Sequence, residues 1–301
     1  MNRFLAVGLM AAVVGVGMRC EAAEPKLPVC RNAFTEPDEQ KQGNEVAAKV
    51  YEAMPVLKDS DPVAVYVRGL GAKLVNFAPG YAWEYNFHVV ASDEINAFAL
   101  PGGSIFVNLA TIQAAESEAQ LAGVMGHEIS HVVMRHSTCN ITKQQKRSLW
   151  YGLGQIAAAA TLGGNLGGLA AQGIGTAAGL DFLRMGRDAE KQADLMGTHI
   201  LYDAGYDPRG MPQFFEIIQA KYGEGGAQML SDHPNPGNRT QYVSAEIATL
   251  PPRDKPVRTT DEFRRVHDVA MKEKALKAEE VKAGAWKKSG QYEKGPGSKM
   301  D

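Results

Sequence analysis

Only three cysteines occur in the 301 residues, and neither sign of charge dominates: 32 lysines and arginines stand against 34 aspartates and glutamates, a net charge of -2. The first scarcity excludes a disulfide-dense scaffold. The second removes any global electrostatic attraction to nucleic acid or acidic surfaces, so no nucleic-acid partner is expected. No helical repeat of the 34-residue kind is visible. The apolar run from Phe4 to Met18 is too short for a comfortable membrane span. What remains is a globular composition, 45% hydrophobic and 22% charged, enough for one sizeable domain with appendages or two small ones.

That N-terminal run follows a short basic start, Met1-Asn2-Arg3, and gives way to Glu21-Ala22-Ala23-Glu24-Pro25, the pattern of a secretory signal peptide over residues 1–22. Arg19 directly before Cys20 is a poor fit to a lipid-attachment site. The protein is therefore expected to be exported, to a periplasm, with association to the envelope membrane left open. Cleavage leaves Cys30 and Cys139, which in an oxidising compartment are expected to pair; the alternative is two free thiols.

Residues 23–44 read as a polar leader without periodicity. A domain over 45–250 follows, then 251–301, lysine- and glutamate-rich, as one solvated helix (about 260 to 283) and a disordered tail. Apolar residues at helical spacing predict two helices between Glu45 and Phe77, broken around Asp59-Ser60-Asp61-Pro62. Short β-branched and aromatic runs at 85–90 and 105–107, with Pro101-Gly102-Gly103 between them, predict two strands of a small sheet. Residues 113–136 read as one long helix. From Ser148 to Leu180 no residue is charged and nine are glycine. That stretch suits small-residue helices packed on the core, or a flap making peripheral membrane contact through 148–180.

The chemistry lies in His127-Glu128-Ile129-Ser130-His131, an HExxH string inside an apolar run. On a helix, histidines four positions apart share a face and can reach one metal ion, with the glutamate beside it as general base. A catalytic zinc takes three protein ligands. Met134 and Ser137 stand where a metzincin has glycine and histidine, and His136 falls about 140° around a straight helix from His131, which makes it a surface residue on this reading. The better candidate is Glu190, with Asp194 one turn on, able to accept a hydrogen bond from the outer nitrogen of a ligand histidine.

With Arg187-x-x-Glu190-x-x-Ala193-Asp194, Asn96-Ala97-Phe98-Ala99-Leu100-Pro101-Gly102-Gly103, and His233-Pro234 followed by Arg239, the chain resembles the M48 metallopeptidases over roughly 45 to 245. Gly186 replaces the serine common before the motif arginine, and the tetratricopeptide repeats and membrane spans of some members are absent. The resemblance implies an α+β, mostly helical zincin-like domain whose small β-sheet has an edge strand bordering the cleft. It implies a metalloendopeptidase with one Zn2+ per chain held by His127, His131 and Glu190, and Glu128 as base. His233 and Arg239 would border the cleft and support the oxyanion, or, for His233, occupy the fourth metal position in a resting state. Polypeptide substrates, unfolded or misassembled exported chains, would lie extended against Ile105, Phe106, Val107 and Asn108. The alternative is a zinc-containing chaperone or assembly factor with little proteolysis.

Overall fold

The computed structural model describes residues 25–148, 185–223, 229, 232–233 and 238–295. The expected signal peptide and the glycine-rich stretch beyond Ser148 lie outside the described residues. No helix among the described residues is long and apolar enough to cross a membrane.

The polar leader is not without structure. Thr35 and Asp38 form a reciprocal capping box, Pro37 occupies the first turn, and α1 runs Glu36–Ala53. Val46, Ala47, Val50 and Tyr51 line its buried face, while the stretch before Gly43 is too polar for the periodicity to show in sequence. The second helix is where the spacing puts it: α2 (Pro62–Val75) starts at Asp61, whose side chain accepts from the amides of Val63 and Ala64.

The sheet has three strands: β1 (Asn86–Val90), β2 (Ala97–Ala99) and β3 (Ser104–Asn108), in spatial order β1-β3-β2. β3 runs parallel to β1 and antiparallel to β2. Here an expectation is overturned. Ile105, Phe106, Val107 and Asn108 form the middle strand, paired on both sides and buried at every position, so they cannot serve as the cleft edge. A strand covered on both faces reads as a continuous apolar run, whereas the true edge, β2, is three residues long. Pro101-Gly102-Gly103 makes the β2–β3 turn, and Gly102 (φ 81) is pressed against α1: a Cβ there would lie 2.6 Å from Gln40 Cα. The outer side of β1 is closed by the Val56–Val90 bridge and the Leu57 N–H bond to Val89 O, 2.8 Å.

The expected single helix over 113–136 is three. α3 (Leu109–Ala114) ends where Ala115 turns extended, and Ser117 caps α4 (Glu118–Val133) by accepting from the Gln120 amide. Arg135 then takes a left-handed conformation (φ 58) before α5 (His136–Ser148). Its guanidinium holds that corner through Glu39 (2.6 Å), Glu36 (2.7 Å) and the Phe34 carbonyl (2.6 Å), and Cys30 is bonded to Cys139 across it, as expected. α4 is buried from Glu118 to Val132. It packs on α6 (Arg187–Asp203) and α7 (Gly210–Tyr222), with β2 on another side. α8 (Arg239–Thr249) leans on α6 and α7.

The C-terminal region also departs from expectation. It holds α9 (Asp261–Ala270), α10 (Ala278–Ala283) and a 3-10 turn (Ala285–Lys288). Phe263 and Ala270 join the main core, Trp286 is buried with its indole N–H on Val281 O, and Glu293 N–H bonds Val56 O at 2.8 Å. Residues 251–295 are thus packed against the domain, and the charge that suggested a tail lies on their outer faces.

Candidate metal centre

α4 carries the HExxH string through the middle of the core, so His127, Glu128 and His131 are at most 3% exposed. One helical turn apart, the two imidazoles face each other with their Nε2 atoms 2.9 Å apart. α6 crosses at the closest point that two glycines permit. A Cβ on Gly197 would lie 3.1 Å from His127 N and from Gly126 C. That approach brings Glu190 to the histidines: Oε2 is 3.3 Å from His127 Nε2 and Oε1 is 3.5 Å from His131 Nε2. Asp194, one turn along α6, sits behind His127, its Oδ1 3.0 Å from Nδ1.

His233 closes the group. Its Nδ1 is 3.2 Å from His127 Nε2 and 3.2 Å from Glu190 Oε1, and its Nε2 is 3.5 Å from Glu128 Oε1. Arg239, at the start of α8, is directed elsewhere than the sequence suggests. Its Nε donates to Asp194 (2.7 Å) and its Nη2 to Glu190 (3.1 Å), with the guanidinium 3.9 Å above the Phe215 ring. It secures the two carboxylates and does not line the cleft. Tyr242 OH also donates to Asp194.

His127, His131, Glu190 and His233 offer donor atoms all within 4.8 Å of one another. Separations of 2.9 to 3.5 Å among the histidine and Glu190 donors compare well with the edge of about 3.3 Å in a tetrahedron of about 2.0 Å zinc bonds. Charge points the same way. Buried Glu128, Glu190 and Asp194 outnumber the one buried guanidinium, Arg239, an excess of negative charge that favours a cation among them, whether a metal ion or a protonated His233. Burial would push His233 down, yet the carboxylates of Glu190 and Glu128 outweigh it and raise its pKa to about 10. Burial pushes the Glu128 carboxyl up against the pull of His233 and His127, and its Oε1 has no hydrogen-bond partner. The residues fit a zinc ion.

Glu128, His131 and His233 open onto a narrow cleft whose other wall includes Phe98 and Ala99 of β2. In the antiparallel pairing, Leu100 N–H bonds Ser104 O and Asn108 N–H bonds Asn96 O. Alternation then leaves the peptide groups of Ala97 and Ala99 turned away from β3. The Ala97 carbonyl faces His233 Nε2 at 3.4 Å. Asn96, in the segment the sequence singled out, anchors Asp232 beside His233 (2.9 Å). Two participants escaped the sequence reading. Gln192 and His136 stand behind His131, and His136 is 6% exposed, not a surface residue.

A helix-borne HExxH, a glutamate from a crossing helix and a small mixed sheet along the cleft define an α+β domain of the zincin-like metallopeptidase class. The model of peptidase family M48 matches residues 66–247, and the chain belongs to that family. It is 34% identical over 209 residues to the beta-barrel assembly-enhancing protease of Escherichia coli (strain K12), covering 67% of this chain and 42% of that protein. It is 35% identical over 193 residues to the protein of that name in Yersinia pestis, covering 60% and 38%. With mitochondrial metalloendopeptidase OMA1 of Arabidopsis thaliana it shares 34% over 167 residues, 55% of this chain and 32% of that one. The chain spans less than half the length of these relatives.

Proposed function

We propose that the chain is a zinc-dependent endopeptidase of exported, unfolded or misassembled proteins, working in envelope quality control in the periplasm. The observation that carries it is the buried, unbonded Glu128 carboxylate oxygen facing the cleft beside the His127, His131 and Glu190 donors. Zinc held by those three residues would supply a Lewis acid for the scissile carbonyl and ease deprotonation of a water.

Glu128 receives the water proton and returns it to the leaving amine, and burial, which raises its affinity for that proton, suits it to hold the proton between the two steps. Asp194 orients His127, and Arg239 holds Asp194 and Glu190 in place. His233 lies where it can fill the fourth position at rest and, displaced by substrate, stabilise charge on the carbonyl oxygen. The substrate pairs as an extended strand with the outer edge of β2 at Ala99, which reads main chain and leaves side-chain choice loose. Cleavage is tested with Glu128→Gln: the variant is expected to retain zinc and lose casein hydrolysis by at least about 100-fold. Wild-type turnover in that variant would refute the reading.

One observation favours a second reading, a zinc-bearing chaperone with little proteolysis: His233 already stands among the donors as a fourth protein ligand would. On that reading Glu128→Gln complements a deletion strain.

A further inference from the structure

His136 lies against the donor group and has no part in the roles above. Continuing α4 straight would turn it about 140° from His131. The left-handed turn at Arg135 (φ 58) instead folds its ring back, so that the two imidazole centroids are 4.9 Å apart. His136 Nδ1 is 2.9 Å from His131 Nδ1, and His136 Nε2 is 3.1 Å from Gln192 Oε1. The position is secured by the Arg135 bonds to Glu36, Glu39 and the Phe34 carbonyl and, one turn later, by the Cys139 disulfide.

The hydrogens along this row can be counted. A His131 that offers its Nε2 lone pair to a metal carries its proton on Nδ1. That N–H can only donate, so His136 Nδ1 must be the acceptor. A neutral His136 with a free Nδ1 carries its own proton on Nε2, and Gln192 Oε1, an acceptor, receives it. Every atom in the row has one role, and no other arrangement leaves His131 Nε2 free. His127 is served differently, by the Asp194 carboxylate.

We propose that His136, set by Gln192, is the positioning residue for the metal ligand His131: an uncharged acceptor that fixes its tautomer and aims its Nε2 at the ion. This rests on the reading of His127, His131 and Glu190 as zinc ligands. An uncharged partner suits the place, because Glu128, Glu190 and Asp194 already concentrate negative charge in the same buried volume. A carboxylate behind His131 would add a fourth.

The test is zinc affinity, measured by competition with a chromogenic chelator on the mature chain, alongside the melting temperature of the metal-free protein. His136→Phe fills the space without an acceptor and is expected to bind zinc about 10- to 100-fold more weakly. His136→Asn, whose Oδ1 falls near the place of Nδ1, is expected to restore affinity to within about threefold. Gln192→Met, which leaves His136 Nε2–H without its acceptor, is expected to weaken binding. In the zinc-loaded wild type, 15N imidazole spectra should show His136 protonated on Nε2 and bare on Nδ1. Protonation on Nδ1, or a His136→Phe protein binding zinc within about twofold of wild type, overturns the proposal. Should His136→Phe fail to fold, the Gln192→Met variant and the spectrum decide. A wild-type chain that binds no zinc would overturn the ligand assignment itself, a separable failure.

Discussion

Asp194 shows how much one carboxylate can be asked to do. It accepts from His127, pairs with the Arg239 guanidinium and takes the Tyr242 hydroxyl, all without exposure to water. Asn at this position keeps an acceptor for His127 and forfeits one of the two carboxylates that pair with Arg239, leaving the buried guanidinium with Glu190 alone. Asp194→Asn is therefore expected to lose about 1–3 kcal/mol of stability in urea titration while retaining more zinc affinity than Asp194→Ala, which should lose about 10- to 100-fold. Equal losses of affinity in the two variants would contradict the separation of roles. The HExxH histidines were legible because helical spacing places i, i+4 residues on one face, whereas Glu190 and Asp194, by spacing alone an ordinary charged helix face, were legible through the family resemblance. His136 was not, since its position depends on a left-handed residue, Arg135, that carries no glycine or asparagine to announce it.

Among the elements, β2 and β3 exchange the parts that sequence suggests. The longer, more apolar run is the buried partner, and the alanine-rich segment before the Pro101-Gly102-Gly103 turn is the edge. If Ala99 offers its peptide group to substrate, Ala99→Pro should remove a main-chain donor at modest structural cost, because edge strands tolerate proline on the solvent side. The expected result is a KM for extended peptides raised severalfold with zinc content unchanged; an unaltered KM would exclude this edge as the docking strand. Helix boundaries were legible where a cap stands out, as at Asp61 and Pro62. They were hidden where a polar first half masks the buried face, as in α1, or where two short helices share one apolar register, as in α3 and α4.

Across the described residues, the C-terminal region is a packed layer that reaches back to the segments beside α2 and β1 through the Leu57–Tyr292 and Ser92–Leu276 bridges. Glu273, just past the end of α9, is held at a pKa of about 7 by partial burial, with Asp61 adding to the effect. Its folded value lies above the ordinary 4.5, so the folded chain binds the extra proton. Stability should fall as pH rises from about 4.5 to about 7 and level off beyond, by less than about 1 kcal/mol given its exposure. Glu273→Gln is expected to flatten that slope, as read by chemical denaturation at several pH values. The Cys30–Cys139 bond joins positions 109 apart and lands one turn beyond His136. By the chain-entropy account, a loop of that size restricts the unfolded state by about 4.7 kcal/mol. With export as proposed, the bond would form only once the chain has left a reducing cytosol, and the reduced chain is expected to hold the corner that carries His136 less firmly. Zinc retention should accordingly drop at the dithiothreitol concentration that opens this bond.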